Sequence, residues 1–290
     1  MPIDSTFLDQ LKRLDLIARK KVSSIYMGSR RSIRQGRGIE IADYREYNPG
    51  DDFRSIDWRV YARTERLYIR RFEEEKDLVL HILLDSSASM DFTMSGMRKF
   101  DYGGSIGAGF AYLALNRHEK FAFALFSDKI YNVMQPKKST MHFFNMVDLI
   151  NCSVQQGSTD LKRCIEQYTN LIKSRSFIIV ISDFIEPMDS LEYGICRVAK
   201  YSKEAILIQI LDPGEINLPW TDDIKFEDME SSETERTFLS PDFRKKYSEK
   251  LREHIARIQE ICDDVGVKFF SLTTNTPLFD AFINIVEHNT

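Results

Sequence analysis

From Asp77 onward, short unbroken apolar runs alternate with segments whose apolar residues recur every three to four positions. LVLHILLD (78–85), KFAFALFSD (120–128), FIIVISDFI (177–185), EAILIQILD (204–212) and VKFFSLTT (267–274) predict strands. None alternates polar with apolar residues, the pattern of strands covered on both faces. IYNVMQ (130–135) predicts a short edge strand. Helical spacing covers 100–119, 141–150, 160–173, 189–201, 241–265 and 277–286, with Gly103, Ile106, Phe110 and Leu113 on one face of the first. Strands alternating with helices imply right-handed crossovers. The fold class is therefore α/β, a doubly wound, mostly parallel, Rossmann-like sheet over 77–290. The rhythm breaks at 213–240, an acidic stretch with two β-like pieces, IKFEDME and ERTFLS, which predicts a hairpin insertion.

The first 76 residues do not follow this rhythm. An amphipathic helix is expected over 6–27, then a basic loop, SRRSIRQGRGIE, a turn at Pro49 and Gly50, and a strand with a charged end, RLYIRRFEEE. No crossover unit fits here, so residues 1–76 are expected to form a small β-containing subdomain.

Composition changes this picture little. Of 290 residues, 43% are hydrophobic and 29% charged, ordinary values for a soluble globular chain. A net charge of -4 excludes a general polyanion binder. MPIDSTFLDQLKR lacks the basic start and apolar core of a secretion signal. No apolar run approaches the roughly 18 residues of a membrane span, so a cytoplasmic location is expected. The cysteines at 152, 164, 196 and 262 are widely spaced without C-x-x-C, which predicts reduced thiols and argues against a structural zinc site. The five histidines show no ligand spacing, and His81, inside a strand, reads as a core residue. There is no G-x-x-x-x-G-K-[ST], so ATP hydrolysis is not expected.

The chemistry concentrates where the first strand of the main domain ends, in DSSAS. Ligands of open parallel sheets sit at the carboxyl ends of the strands. Asp85, Ser87 and Ser89 are spaced so that they converge on one side of an extended segment. Asp183 closes another strand at the same edge, and Thr159 lies in a loop before a helix, with Gly157 beside it. Two carboxylates and three hydroxyls are hard oxygen donors suited to Mg²⁺, which takes about six oxygens near about 2.1 Å; Mn²⁺ or Ca²⁺ would also be accepted. The plain alternative is that such residues cap turns and helices.

DSSAS, GST and ISD, in this order and framework, resemble the von Willebrand factor A (vWA) domain over roughly 77–290. The resemblance implies that Asp85, Ser87, Ser89, Thr159 and Asp183 form a metal-ion-dependent adhesion site (MIDAS). The third motif usually continues Asp-Gly, and here it reads Asp183-Phe184. GIEIADYREYNPGDDFRSIDWRVYART followed by LYIRRFEEEKDL resembles the bacterial DUF58 family across nearly the whole chain. That resemblance implies an A-domain protein working beside a MoxR-type AAA+ ATPase. The function it implies is non-enzymatic: an adaptor whose bound metal captures an acidic side chain of a partner protein, with no nucleic-acid partner and no membrane span.

Two other readings remain at this level. GGSIG (103–107) matches the G-x-S-x-G of hydrolases with Ser105 as nucleophile, but no strand precedes it, and the small residues suit close helix packing. A metal-dependent phosphatase is disfavoured because Ser87 stands where an aspartyl-phosphate enzyme has a second acid. The third reading is a scaffold whose metal is purely structural. In PGDDFRSIDW, Asp51 or Asp52 is expected to cap a short turn and Trp58 to anchor the subdomain. The alternative is that Asp51, Asp52, Arg54 and Asp57 dock the ATPase. Arg30, Arg31, Arg34 and Arg37 suit phosphate contacts less well than a solvated face, or ion pairs with Asp43, Glu46, Asp51 and Asp52.

Overall fold

A computed structural model describes residues 31–34, 40–75, 79–94, 96–172, 176–220, 223–227, 234–238 and 240–288. The chain divides into two compact units, one within 23–78 and one within 79–290.

The larger unit is built on a six-stranded sheet: β4 (Val79–Asp85), β5 (Lys120–Phe126), β6 (Ile130–Lys137), β7 (Ser176–Ser182), β8 (Ser202–Leu211) and β11 (Lys268–Thr273). Its spatial order is β11-β8-β7-β4-β5-β6. All neighbours are parallel except β5 and β6. Numbered within the sheet, this is the 3-2-1-4-5-6 order of a doubly wound fold, reversing between β4 and β7. The central strands are buried along almost their whole length, as their unbroken apolar runs require. At the edge, β6 slips register against β5 at two places, holds Asn132 at φ 51°, and carries Pro136.

Successive residues of these strands feed two core layers. Leu83, Val180 and Leu207 pack under α4 (Leu161–Thr169), α5 (Met188–Tyr201) and α7 (Pro241–Val265). The opposite face is covered by α2 (Lys99–Asn116), which packs against α3 (Thr140–Cys152) and α8 (Leu278–His288). The glycines of α2 exist for this contact. A Cβ on Gly103 would lie 2.9 Å from Ile181 Cγ2, and one on Gly109 would lie 2.6 Å from Phe282 Cε2. Ser105 therefore sits inside a buried helix, where its hydroxyl donates to Asp101 O at 2.8 Å. The hydrolase reading of this motif falls, because no strand-to-helix elbow presents that hydroxyl.

The insertion differs from the expected hairpin in one respect. It begins with a short helix, α6 (Pro213–Asn217), before the antiparallel pair β9 (Asp223–Glu227) and β10 (Thr234–Phe238). Asp212-Pro213-Gly214-Glu215 is a helix start: Asp212 accepts from Gly214 N at 2.7 Å, and Glu215 accepts from Asp212 N at 2.9 Å.

In the smaller unit, β1 (Arg31–Arg34), β3 (Tyr68–Glu75) and β2 (Glu40–Glu46) form an antiparallel sheet, in the order β1-β3-β2. Part of the expected basic loop is thus strand. Arg30, Arg37 and the helix expected over 6–27 lie outside the described residues. A short helix, α1 (Trp58–Thr64), follows a 3-10 turn at Phe53–Ser55. Trp58, for which an anchoring role was one of two open readings, is 57% exposed and lies edge-on to Tyr61 with ring centroids 6.0 Å apart.

Gly109→Ala should lower stability by about 1–3 kcal/mol through overpacking, although alanine favours a helix by about 1 kcal/mol. Adding Phe282→Leu should return part of the loss. Urea denaturation of the single and double variants measures both.

Candidate metal centre

Asp85 ends β4 beside the point where the strand order reverses. Its Oδ1 accepts from Ser87 N at 2.8 Å, which turns the chain out of the strand. The 3-10 turn Ala88–Asp91 follows, and places Ser89 Oγ 3.0 Å from Ser87 Oγ. Two backbone hydrogen bonds sew the second loop to the first: Gln156 N to Ser86 O at 3.0 Å, and Ala88 N to Gly157 O at 2.9 Å. Gly157 has φ +80°, a left-handed conformation that glycine adopts at little cost. The loop then brings Thr159 Oγ1 to 3.3 Å from Asp85 Oδ2, and Asp160 caps α4 by accepting from Arg163 N at 2.9 Å. Asp183, just past β7, lies close enough for the Ser89 hydroxyl to favour its charged carboxylate. Hydrogen bonds link Thr159 to Asp85, Asp85 to the Ser87 backbone and Ser87 to Ser89, and Asp183 lies within electrostatic reach of Asp85 and Ser89. Asp85, Ser87 and Asp183 are buried, whereas Ser89 and Thr159 are half-buried and reach towards solvent.

Three further side chains complete the cluster and were not foreseen. Ser182 donates to Asp85 Oδ2 at 2.6 Å. Lys99, the first residue of α2, puts its ammonium 2.8 Å from Asp183 Oδ2 and 2.5 Å from Glu215 Oε1. Signals for both partners existed. Lys99 stands four residues before Gly103 on the buried stripe of α2, and a cation there demands a buried acid. Glu215 is the fourth letter of the Asp-Pro-Gly-Glu helix start.

The charges are unevenly compensated. Burial, and then the charge of Asp183, push the Asp85 carboxyl up to about 7. Burial also opposes the charge on Asp183, but the Lys99 ammonium overrides it and holds that carboxyl below its ordinary value. Burial works against the Lys99 ammonium too, and Asp183 and Glu215 more than reverse the effect. Among the described residues, one buried carboxylate thus has a cation of its own and its neighbour has none. Hard oxygen donors around an uncompensated negative charge fit a small divalent cation. Asp85, Ser87, Ser89, Thr159 and Asp183 would hold it. Among the described residues no group of three or more His, Cys, Asp or Glu is placed to hold a metal, so hydroxyls must supply part of any shell.

Phe184 fills the place of the glycine in the A-domain pattern. It adopts φ 51°, a left-handed conformation costing a non-glycine residue roughly 1–2 kcal/mol. Its ring is fully buried, its N–H donates to Ser182 Oγ at 3.1 Å, and its carbonyl accepts from His254 Nε2 at 2.8 Å. The departure therefore leaves Asp183 in place. His81 is a core residue, 2.9 Å from the Tyr168 hydroxyl, and burial lowers its pKa to about 4. Beside the Thr159 loop opens a cleft of about 570 Å³, lined in part by Ser127, Asp128, Lys129, Tyr131 and Gly157.

Asp51, Asp52 and Asp57 of the smaller unit each have an internal role. Asp51 accepts from Arg45 on both oxygens at 2.9 Å and from Asn48 N at 3.0 Å, Asp52 caps the 3-10 turn by accepting from Arg54 N at 3.0 Å, and Asp57 caps α1 by accepting from Arg59 N at 2.9 Å. Arg54 is exposed.

A doubly wound sheet with Asp-x-Ser-x-Ser, Thr and Asp motifs gathered at its switch point defines a vWA-like module. The chain belongs to the family described as "Protein of unknown function DUF58", which matches residues 43–257. It is 25% identical over 268 residues to Uncharacterized protein Rv1480 of Mycobacterium tuberculosis and, equally, to Uncharacterized protein Mb1516 of Mycobacterium bovis; the match spans 91% of this chain and 84% of each relative. Among solved structures it is similar to BatB from Bacteroides thetaiotaomicron, with TM-score 0.48, 12% identity, and coverage of 73% of this chain and 99% of that one. It is also similar to the SpRpn10 VWA domain, with TM-score 0.44, 11% identity, and coverage of 72% and 95%. Among the described residues no helix is long and apolar enough to cross a membrane.

Without metal at about pH 8, Asp85→Asn should be more stable than the wild type by about 1–3 kcal/mol, because it removes a buried, repelled charge and keeps the acceptor for Ser87 N. The folded carboxyl titrates near 7 and the unfolded one near about 3.9. The wild type's protonated Asp85 favours folding below the lower value, and that contribution is lost as pH rises through the upper one. The advantage of the variant should therefore shrink on acidification and disappear near about pH 4. Urea melts across this range test it, and a less stable variant at about pH 8 would contradict the uneven compensation.

Proposed function

We propose that this chain is a non-enzymatic adaptor that binds a partner protein through a MIDAS-type Mg²⁺ site. Asp85, Ser87, Ser89, Thr159 and Asp183 hold the ion, with Mn²⁺ or Ca²⁺ as substitutes. The observation that carries the reading is the convergence of these five residues, from three loops, on one cluster at the reversal of strand order. Two carboxylates leave a dication's shell unfilled, so water or an Asp or Glu from a partner completes it. Such a contact is charge-assisted and, at a partly buried site, less screened than in bulk water. The cleft beside Thr159 gives the segment flanking that acid a polar surface to lie on.

The partner we propose is a MoxR-type AAA+ ATPase or one of its clients, met in the cytoplasm, in chaperone-like or assembly work. Support comes from membership of the DUF58 family and from the vWA-like fold. The smaller unit remains a docking candidate through exposed Arg54, since Asp51, Asp52 and Asp57 are engaged internally.

Isothermal calorimetry should record Mg²⁺ binding to the wild type. Asp85→Ala should weaken it by at least about a hundredfold, the upper end of what outer-shell substitutions cost. Partner retention on the immobilised chain should require Mg²⁺ and be abolished by EDTA. Partner binding that is indifferent to EDTA, with a large fall in melting temperature, would instead assign the ion a purely structural role.

A further inference from the structure

Among the described residues, Lys99 is the one cation in contact with Asp183, and it is wholly buried. It is anchored from below, since α2 leaves the site along the underside of the sheet with Gly103 and Gly107 pressed against Ile181 and Ile82. It is anchored from the side by Glu215, which the Asp212 capping box holds in place. Asp183 is also fixed: its Oδ1 accepts from Ile185 N at 3.3 Å, and its carbonyl accepts from Gln209 Nε2 at 2.9 Å. The ammonium therefore stays on Asp183 Oδ2, and any ion drawn to the same carboxylate meets it there.

Resting on the metal reading above, we infer that Lys99 is a tethered competitor of the divalent ion for Asp183. It lets the chain fold without the ion, and it sets the ion's affinity low. Both effects follow from one charge. With Lys99 in place, Asp183 has a partner in the metal-free protein, and leaving it buried without one would be strongly destabilising. The same positive charge repels an incoming dication through a poorly screening interior. A site built this way loads and unloads its metal while the fold stays intact.

Lys99→Met with Glu215→Gln tests the competition at constant charge. The trio of Lys99, Asp183 and Glu215 carries a net charge of -1, and so does the double variant, which retains Asp183 alone. Calorimetry with MgCl₂ should show about tenfold tighter binding to the double variant, the factor that roughly 1.4 kcal/mol produces. The wild type's melting temperature should be almost the same in EDTA and in Mg²⁺, whereas the variant's should rise clearly with Mg²⁺. Equal or weaker binding by a folded variant, with binding by the wild type intact, overturns the role of Lys99 and leaves the metal reading standing. Absence of Mg²⁺ binding by both overturns the two together. If the variant does not fold, nitrogen-15 NMR of lysine ammonium groups in the wild type decides. A Lys99 signal that shifts saturably with Mg²⁺, and not in Asp85→Asn, supports the competition. An unmoved signal while calorimetry records binding refutes it.

Discussion

Two carboxylates are buried next to each other because the order of the strands leaves them no other place. β4 and β7 are neighbours at the centre of the sheet, and the chain leaves them in loops that share one rim. Asp85 ends one strand and Asp183 follows the other, so their mutual repulsion is built into the topology. Most of what surrounds them answers that repulsion. Ser87, Thr159 and Ser182 direct hydrogen bonds at Asp85, and Lys99 supplies a full charge to Asp183. Proteins place such arrangements where function demands them, since a hydrophobic alternative is often at least as stable.

The compensation draws on distant parts of the chain. Lys99 opens α2, Glu215 lies in α6 beyond β8, and Asp212 reaches both Met94 N and the Thr274 hydroxyl at 3.1 Å. Loops from four strand ends are thereby tied into one polar layer over an apolar sheet. Asp183 is further coupled to α7, since the residue after it accepts a hydrogen bond from His254. Asp183 is thus tied, directly or through the next residue, to helices on both faces of the sheet.

The main domain was largely legible in the sequence. Unbroken apolar runs identify strands buried on both faces, and their alternation with helical periods dictates the doubly wound order. That these five oxygen residues meet at one rim was legible as well, because each ends or follows an element whose edge the topology assigns; their holding of a metal stays a proposal. What escaped was long-range and electrostatic. Nothing local to Lys99 tells which acid it meets, since Asp183 is 84 residues away and Glu215 116. The helix start at Asp212 was readable in principle but was hidden inside an apparent hairpin. In the smaller unit, β1 and β2 were missed because their charged, glycine-flanked sequences lack the alternation that marks a half-buried strand. Of the acids of PGDDFRSIDW, weighed as docking residues, Asp52 and Asp57 cap helical turns, the common use of aspartate there, and Asp51 pairs with Arg45.

The irregular edge strand has a consequence for how this molecule meets others. An intact outer strand offers a row of free amides and carbonyls on which a foreign strand can zip. Here β6 runs antiparallel to β5, slips register twice, holds Asn132 in a left-handed conformation and interposes Pro136, which has no amide proton to offer. Backbone-to-backbone extension of the sheet is blocked on that flank, so recognition there must be made by side chains and loops, and uncontrolled stacking of copies through that flank is disfavoured from the outset.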